Sequence, residues 1–250
     1  MIELKSPSQM ELMKEAGRIV GQVLRRLKEA VRPGISTLEL DHLAEEAILK
    51  LGGRPAFKGY RGFPASLCTS VNEEVVHGIP SRRRLQPGDI VGLDVGVALE
   101  GYFSDAAITV PVDGIEPKVA NLLWIAESAL RKGIHMAKPS GRLSDISHAI
   151  QQEVETHGYS VVRDFVGHGI GTQLHEAPQI PNYGKPGYGP VLKSGMVLAI
   201  EPMVNQGKPE VEVLADGWTA VTKDRSLSAH FEHTVAVTDD GPEILTRWNA

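Results

Sequence analysis

Apolar residues recur at helical spacing near the start of the chain and predict a long first helix. Ser6 and Gln9 form a capping-box pattern, and Pro7 stands at the first helical position. Behind them, the apolar repeat continues as far as Leu27. The segment RPG at 32–34 interrupts the repeat and predicts the end of this helix.

The same signals predict two further helices. Ser36 and Glu39 form a second capping box, and the apolar repeat behind them stops at Gly52. A third helical repeat extends from about Pro117 to Met136.

Shorter apolar runs predict strands over residues 65–72, 89–98 and 102–112. Two acids interrupt these runs, because Asp94 lies inside the second and Asp105 near the start of the third. An unpaired carboxylate in a strand core costs several kcal/mol. Each acid therefore has its own buried partner, or both face a positive charge.

A four-residue loop over 98–101 would join the second and third strands. Pairing Val97 with Tyr102 across it predicts that Asp94 lies directly opposite Asp105. Opposed residues share a face, with Cβ atoms about 5 Å apart. Two carboxylates at that distance must share a proton or a cation.

The second half of the chain repeats the pattern of the first. The segment LQPGDIVGLD at 85–94 aligns with LKSGMVLAIE at 192–201, so Asp94 falls on Glu201. The repeat predicts an α+β fold of two helix–helix–sheet halves with antiparallel strands, related by a pseudo-twofold axis. We expect the halves to span about 1–110 and 111–250 within a single domain, 1–250.

A fourth acid, Glu232, lies in the strand pattern AHFEHTVAV. The pseudo-twofold axis would bring all four carboxylates together, with more negative charge than protons readily neutralise. Two divalent metal ions are the predicted counter-charge. Oxygen-rich ligands suit Mn²⁺, Fe²⁺ or Co²⁺. Zn²⁺ is an alternative, although its structural sites favour nitrogen and sulfur.

Three histidines lie in loops beside these strands: His77, His168 and His175. We expect one of them to bind metal and two to contact substrate. His230 shares a strand face with Glu232 if that segment alternates, but an exposed position is the expectation for it.

Composition narrows the class of protein. The net charge of −5 disfavours a specific nucleic-acid surface. The single cysteine, Cys68, excludes an intramolecular disulfide and suits a reducing compartment. A nucleophilic pair of Cys68 with His77 lacks a third orienting group, so a buried thiol is expected instead. Without an apolar window long enough to span a membrane, we expect a cytoplasmic protein.

Longer motifs resemble one known family from end to end. SVNEEVVHGIP, GHGIGTQLHEAPQIPNY, EPMV and DGWTAVTKDRSLSAHFEHTVAVT are similar to segments of the type I methionine aminopeptidases. The resemblance implies the pita-bread fold in one catalytic domain. It also implies removal of the initiator methionine from nascent polypeptides when the second residue is small.

The resemblance further implies roles for individual residues. A water held between two divalent ions would attack the first peptide carbonyl, and Glu201 would carry its proton toward the departing amine. His77 and His175 would hydrogen-bond the substrate. The implied metal ligands are Asp94, Asp105, His168, Glu201 and Glu232. The implied methionine pocket consists of Tyr60, Phe63, Cys68, His77 and Trp218.

Two positions depart from the family pattern. Leu174 stands where relatives commonly have an aromatic residue, and His230 where they commonly have glutamine. Three rival interpretations are a proline-specific peptidase, a type II methionine aminopeptidase and a relative that binds macromolecules without catalysis. The expected partners are nascent N-termini, with a transient ribosome contact, no membrane and no second copy of the chain.

Overall fold

The computed structural model describes residues 2–248. Its helices are α1 (Pro7–Ala30), α2 (Thr37–Lys50), α3 (Pro117–Met136) and α4 (Leu143–Thr156). Its first-half strands are β1 (Arg54–Pro55), β2 (Leu67–Val71), β3 (Glu74–Val76), β4 (Ile90–Leu99) and β5 (Tyr102–Pro111). Its later strands are β6 (Ser160–Val161), β7 (Gly167–Gly169), β8 (Glu176–Ile180), β9 (Val197–Ile200), β10 (Met203–Asn205), β11 (Val211–Val213), β12 (Ala220–Thr222), β13 (Ser228–His230), β14 (His233–Thr238) and β15 (Gly241–Ile244).

The helix starts follow the predicted capping signals. Gln9 Oε1 accepts a hydrogen bond from Ser6 N at 2.8 Å, and Ser6 Oγ accepts one from Gln9 N. Ser36 and Glu39 make the same reciprocal pair at the start of α2. These bonds satisfy backbone donors that the first turn of a helix leaves free. The predicted first three helices are confirmed.

The first helix packs through two kinds of surface. Its apolar face, including Val20 and Leu24, lies fully buried in the main core with β4 and β5. A second face carries Gly17 and Gly21, where an added Cβ would come within 2.5 Å and 2.2 Å of the carbonyl oxygens of Leu245 and Arg247. Glycine is therefore required there, because only a helix surface without side chains admits the late segment so closely.

The hairpin of β4 and β5 differs from the predicted register by two residues. Leu99 pairs with Tyr102 across a two-residue turn, so Asp94 faces Ala107 and Asp105 faces Gly96. The predicted direct opposition of the two acids was wrong. Both turn residues have positive φ, as a tight hairpin requires. Because side chains alternate with a period of two, the shift leaves both acids on the same face.

Two sheets, one from each half of the chain, position the acidic residues predicted above. The first has the order β1-β4-β2, with β5 also paired to β4, and the second has the order β15-β14-β9-β7-β8. The remaining two sheets are β13-β10-β6 and β11-β12-β3, and every described strand pairing is antiparallel.

Hydrogen bonds between β5 and the residues at the entry to β14 join the sheet that contains β4 to the sheet that contains β9. Glu232 N donates to Ala107 O at 2.8 Å, and Thr234 Oγ1 donates to Asp105 O at 2.8 Å. The carboxylate-bearing strands of the two halves are thus held side by side. None of the helices within residues 2–248 combines the length and apolar character needed to span a bilayer.

Candidate active site

One cavity collects the predicted carboxylates and histidines. All five predicted metal-binding residues line it: Asp94, Asp105, His168, Glu201 and Glu232. The strand pattern explains this convergence for the second half. Ile200 and His233 are the last registered pair of β9 and β14, and the next residues outward are Glu201 and Glu232.

Three side chains in this cavity come close enough to share one ion. Ligand atoms of Asp105, His168 and Glu232 lie within 4.8 Å of one another, and all three residues are buried. His168 Nε2 is 3.6 Å from Asp105 Oδ2 and 3.6 Å from Glu201 Oε1. The imidazole therefore stands between carboxylates from both halves of the chain.

Burial changes the proton affinity of the acids. It raises the pKa of Asp94 and of Glu201 to about 8, with neighbouring carboxylates adding to the shift, and it raises the pKa of Asp105 to about 7. Burial also raises the pKa of Glu232 well above its usual range. These carboxyl groups hold protons near neutral pH unless a cation replaces them.

The donor set fits divalent metal ions. Asp94 Oδ1 is buried and has no hydrogen-bond partner among residues 2–248, although such oxygens are normally satisfied. Four carboxylates and one imidazole are ligands that Mn²⁺, Fe²⁺ and Co²⁺ accept readily. The orphaned oxygen and the convergent acids are both explained if positive charge occupies the cavity.

His175 and His77 also line the cavity. The Tyr60 hydroxyl is 2.9 Å from His175 Nδ1, and the two rings stack with centroids 5.3 Å apart. His77 has a φ of 61° directly after β3, a conformation that costs energy outside glycine and clusters at functional sites. Burial, with His230 nearby, lowers the pKa of His77 to about 4, so its imidazole is neutral near pH 7.

An apolar wall completes the cavity. Phe63 and Trp218 meet edge to face, with ring centroids 5.1 Å apart. Cys68 pairs with Asp94 in the register of β2 and β4, which turns its thiol toward the same face. Burial and the nearby Asp94 raise the pKa of the Cys68 thiol well above its usual range. A neutral buried thiol cannot act as the nucleophile of the alternative Cys68–His77 pair.

His230 is buried, so its expected exposed position was wrong. Only 4% of its surface is accessible, because β13 pairs with β10 and packs against β3, β5 and α3. Its Nε2 lies 3.6 Å from Glu201 Oε2. The strand face shared with Glu232 was the available signal, but the covering elements come from distant parts of the chain.

Three cavity residues were not among the predicted site residues: Phe57, Arg61 and Leu174. The Arg61 guanidinium lies over the Tyr60 ring, 5.3 Å from its centroid. The loop sequence FKGYRGF, at 57–63, carried a usable signal. Aromatic residues at every third position between glycines are unusual in an ordinary solvated loop.

Comparison with known proteins shows the family to which the chain belongs. Residues 11–239 match the sequence profile of metallopeptidase family M24. The chain is 57% identical over 246 residues to a methionine aminopeptidase of Clostridium perfringens, covering 98% of this chain and 99% of that protein.

Solved structures show which fold the chain shares. A crystal structure of methionine aminopeptidase from Thermotoga maritima superposes with a TM-score of 0.98 at 50% identity, covering 99% of this chain and 100% of that one. Prolidase from Pyrococcus furiosus, at 24% identity, shares the fold with a TM-score of 0.80, covering 97% of this chain and 65% of its own. The predicted pita-bread fold is confirmed. The chain belongs to metallopeptidase family M24 and, within it, to the methionine aminopeptidases.

Proposed function

We propose that this enzyme removes the initiator methionine from nascent polypeptides whose second residue is small, using two divalent ions. The residues proposed to hold the ions are Asp94, Asp105, His168, Glu201 and Glu232. Co²⁺, Mn²⁺ and Fe²⁺ suit this donor set, and Zn²⁺ remains an alternative. The observation that carries the proposal is the convergence of buried acids from both halves on one imidazole, with an orphaned carboxylate oxygen beside them.

The chain's own residues would divide the chemistry between them. When bound, divalent ions supply Lewis acidity, which activates water and polarises the scissile carbonyl. Glu201 takes the proton of the attacking water and passes it to the departing amine. Neutral His77 and His175 donate hydrogen bonds to the substrate amide and to the tetrahedral carbon's oxygen, where negative charge develops.

The methionine side chain is proposed to lie against the apolar wall. Phe63, Cys68 and Trp218 offer aromatic and thiol surface that suits a polarisable thioether. Tyr60 and His77 extend this wall toward the reacting centre. Leu174, which is 2% exposed, also lines the cavity.

The substrate also suggests where and how the enzyme acts. Nascent N-termini appear at the ribosome, so we propose a cytoplasmic monomer that meets the ribosome transiently. The order helix, helix, strands in both 1–110 and 111–250 supports a single catalytic domain of two related halves.

Hydrolysis of Met-Ala-Ser after addition of Mn²⁺ or Co²⁺ tests the proposal. We expect Glu201→Gln to lower kcat about 100-fold or more, because general acid–base catalysis contributes that much. Asp105→Asn should abolish stoichiometric metal uptake, measured by elemental analysis. Glu29→Gln, an exposed carboxylate change on α1, is the matched control and should alter neither. Equal turnover by Glu201→Gln and the parent enzyme, or cleavage of X-Pro peptides alone, would contradict the proposal.

A further inference from the structure

A buried imidazole nitrogen beside the site has no partner. His230 Nε2 is inaccessible to solvent and makes no hydrogen bond to any described residue. A buried polar atom left unsatisfied costs about 1–3 kcal/mol. The cavity that it adjoins is rich in hydrogen-bond acceptors, so this nitrogen is placed to donate.

The nearest charged oxygen belongs to Glu201. Its Oε2 lies 3.6 Å from His230 Nε2, while its Oε1 lies 3.6 Å from His168 Nε2. The carboxylate thus stands between two imidazoles, one on each oxygen. A separation of 3.6 Å is longer than a hydrogen bond, and an approach of about 0.6 Å would close it. Catalytic hydrogen bonds are often long without ligands and shorten when ligands bind.

The backbone of His230 is fixed on both sides by one hydroxyl. Thr109 Oγ1 donates to His230 O at 2.9 Å and accepts from His230 N at 2.9 Å. Thr109 lies on β5, the strand that carries Asp105. The imidazole is therefore anchored to the same framework as the acid cluster, so the shorter distance would be reached by the glutamate side chain.

We infer that His230 is a positioning residue whose Nε2–H donates to Glu201 Oε2 and holds Oε1 toward the cavity. The inference rests on the proposed function, which gives Glu201 the proton-transfer role. A role as a metal ligand fits less well: Glu201 lines the cavity, whereas His230 is not among the described residues that line it. Neighbours that orient a ligating side chain typically change metal affinity or activity by about 10–100-fold when removed.

Three substitutions separate donation from packing. His230→Gln keeps an N–H at about the reach of Nε2, His230→Asn keeps the amide but falls one methylene short, and His230→Leu removes the donor. We expect His230→Gln to stay within about 3-fold of the parent in kcat and in calorimetric Mn²⁺ affinity. In His230→Asn and His230→Leu, we expect kcat, Mn²⁺ affinity or both to fall about 10–100-fold. KM for Met-Ala-Ser should change little, because the lost contact acts on proton transfer.

The same measurements in a Glu201→Ala background, which removes the acceptor, test whether the effect passes through Glu201. There, His230→Leu should cause no further loss of Mn²⁺ affinity. Any of three results would overturn the inference. His230→Leu could lower Mn²⁺ affinity as much in that background as in the parent, it could behave like the parent enzyme, or it could lose as much as His230→Gln. Full activity of Glu201→Gln alone would instead contradict the proposed function. Thermal unfolding of each variant identifies any that does not fold, and the Gln–Asn pair then carries the test.

Discussion

The Tyr60 hydroxyl contacts one ring nitrogen of His175 and leaves the other free to face the cavity. The Tyr60 hydroxyl lies 2.9 Å from Nδ1, and the stacked rings fix the orientation of the imidazole. A phenol that donates to Nδ1 leaves the proton of a neutral imidazole on Nε2. His175 then presents an N–H to the cavity, which is what stabilisation of a developing oxyanion needs.

Tyr60→Phe should therefore lower kcat about 5- to 10-fold while KM for Met-Ala-Ser changes less than about 2-fold. The reason is the loss of one hydrogen bond, worth about 1 kcal/mol, with the aromatic wall kept. Steady-state kinetics on metal-loaded protein measures the effect. Tyr159→Phe, whose hydroxyl accepts a bond from Asn121 on the exposed surface, is the control and should be silent. An unchanged kcat in Tyr60→Phe would show that the hydroxyl does not orient His175.

At the scale of elements, features set by residues close in sequence could be predicted, whereas features set by distant residues could not. The starts of α1 and α2 were predictable because capping boxes operate within four residues. The face shared by Asp94 and Asp105 was predictable because alternation is local, but their register was not. Glu100 adopts a positive φ, which the identity of its side chain does not predict. This conformation allows a turn of only two residues. The burial of His230 depends on strands that are distant in sequence, so the residues around His230 do not predict it.

A partly buried ion pair connects the N-terminal segment to the loop that carries His175. Lys5 Nζ donates to Glu176 Oε2 at 2.8 Å, and the lysine side chain is 1% exposed. Glu176 Oε1 accepts from Gln173 N at 3.1 Å, which fixes the loop before β8. The pair therefore connects the N-terminal segment to the position of a proposed catalytic histidine.

Breaking this pair from the acid side should destabilise the fold strongly. Glu176→Gln leaves the buried Lys5 ammonium with Glu3, at 3.3 Å, as its one remaining carboxylate partner in the described part of the chain. We therefore expect a loss of about 3 kcal/mol in the free energy of unfolding. The double variant Lys5→Met and Glu176→Gln should regain most of that loss, because no buried charge remains. Urea unfolding measures both, and additive losses in the double variant would contradict the expectation.

For the whole molecule, the acids gathered between the halves couple stability to pH and to metal. Asp94, Asp105 and Glu201 keep protons in the folded state up to about pH 7 to 8, whereas unfolded carboxyls lose them near pH 4. Between these limits the unfolded chain binds fewer protons than the folded one. The stability of the metal-free protein therefore falls as pH rises.

Metal removal should consequently matter more at higher pH. We expect the Tm of protein in EDTA to fall from about pH 5 to about pH 8, relative to protein saturated with Mn²⁺. Bound ions replace the protons and stabilise the folded state by mass action. Paired thermal scans across this range measure the gap and cancel the titration of remote groups. A gap that stays constant or narrows with rising pH would count against carboxylate ligation.

The glycine face of α1 bears on how this fold is completed during synthesis. Gly17 and Gly21 accept the backbone of Leu245 and Arg247, so a segment far along the chain covers one face of the first helix. Until that segment has left the ribosomal exit tunnel, the first helix cannot be fully covered. The packing of the first helix is therefore completed only after that late segment has emerged, although the helix itself is among the first elements to be made.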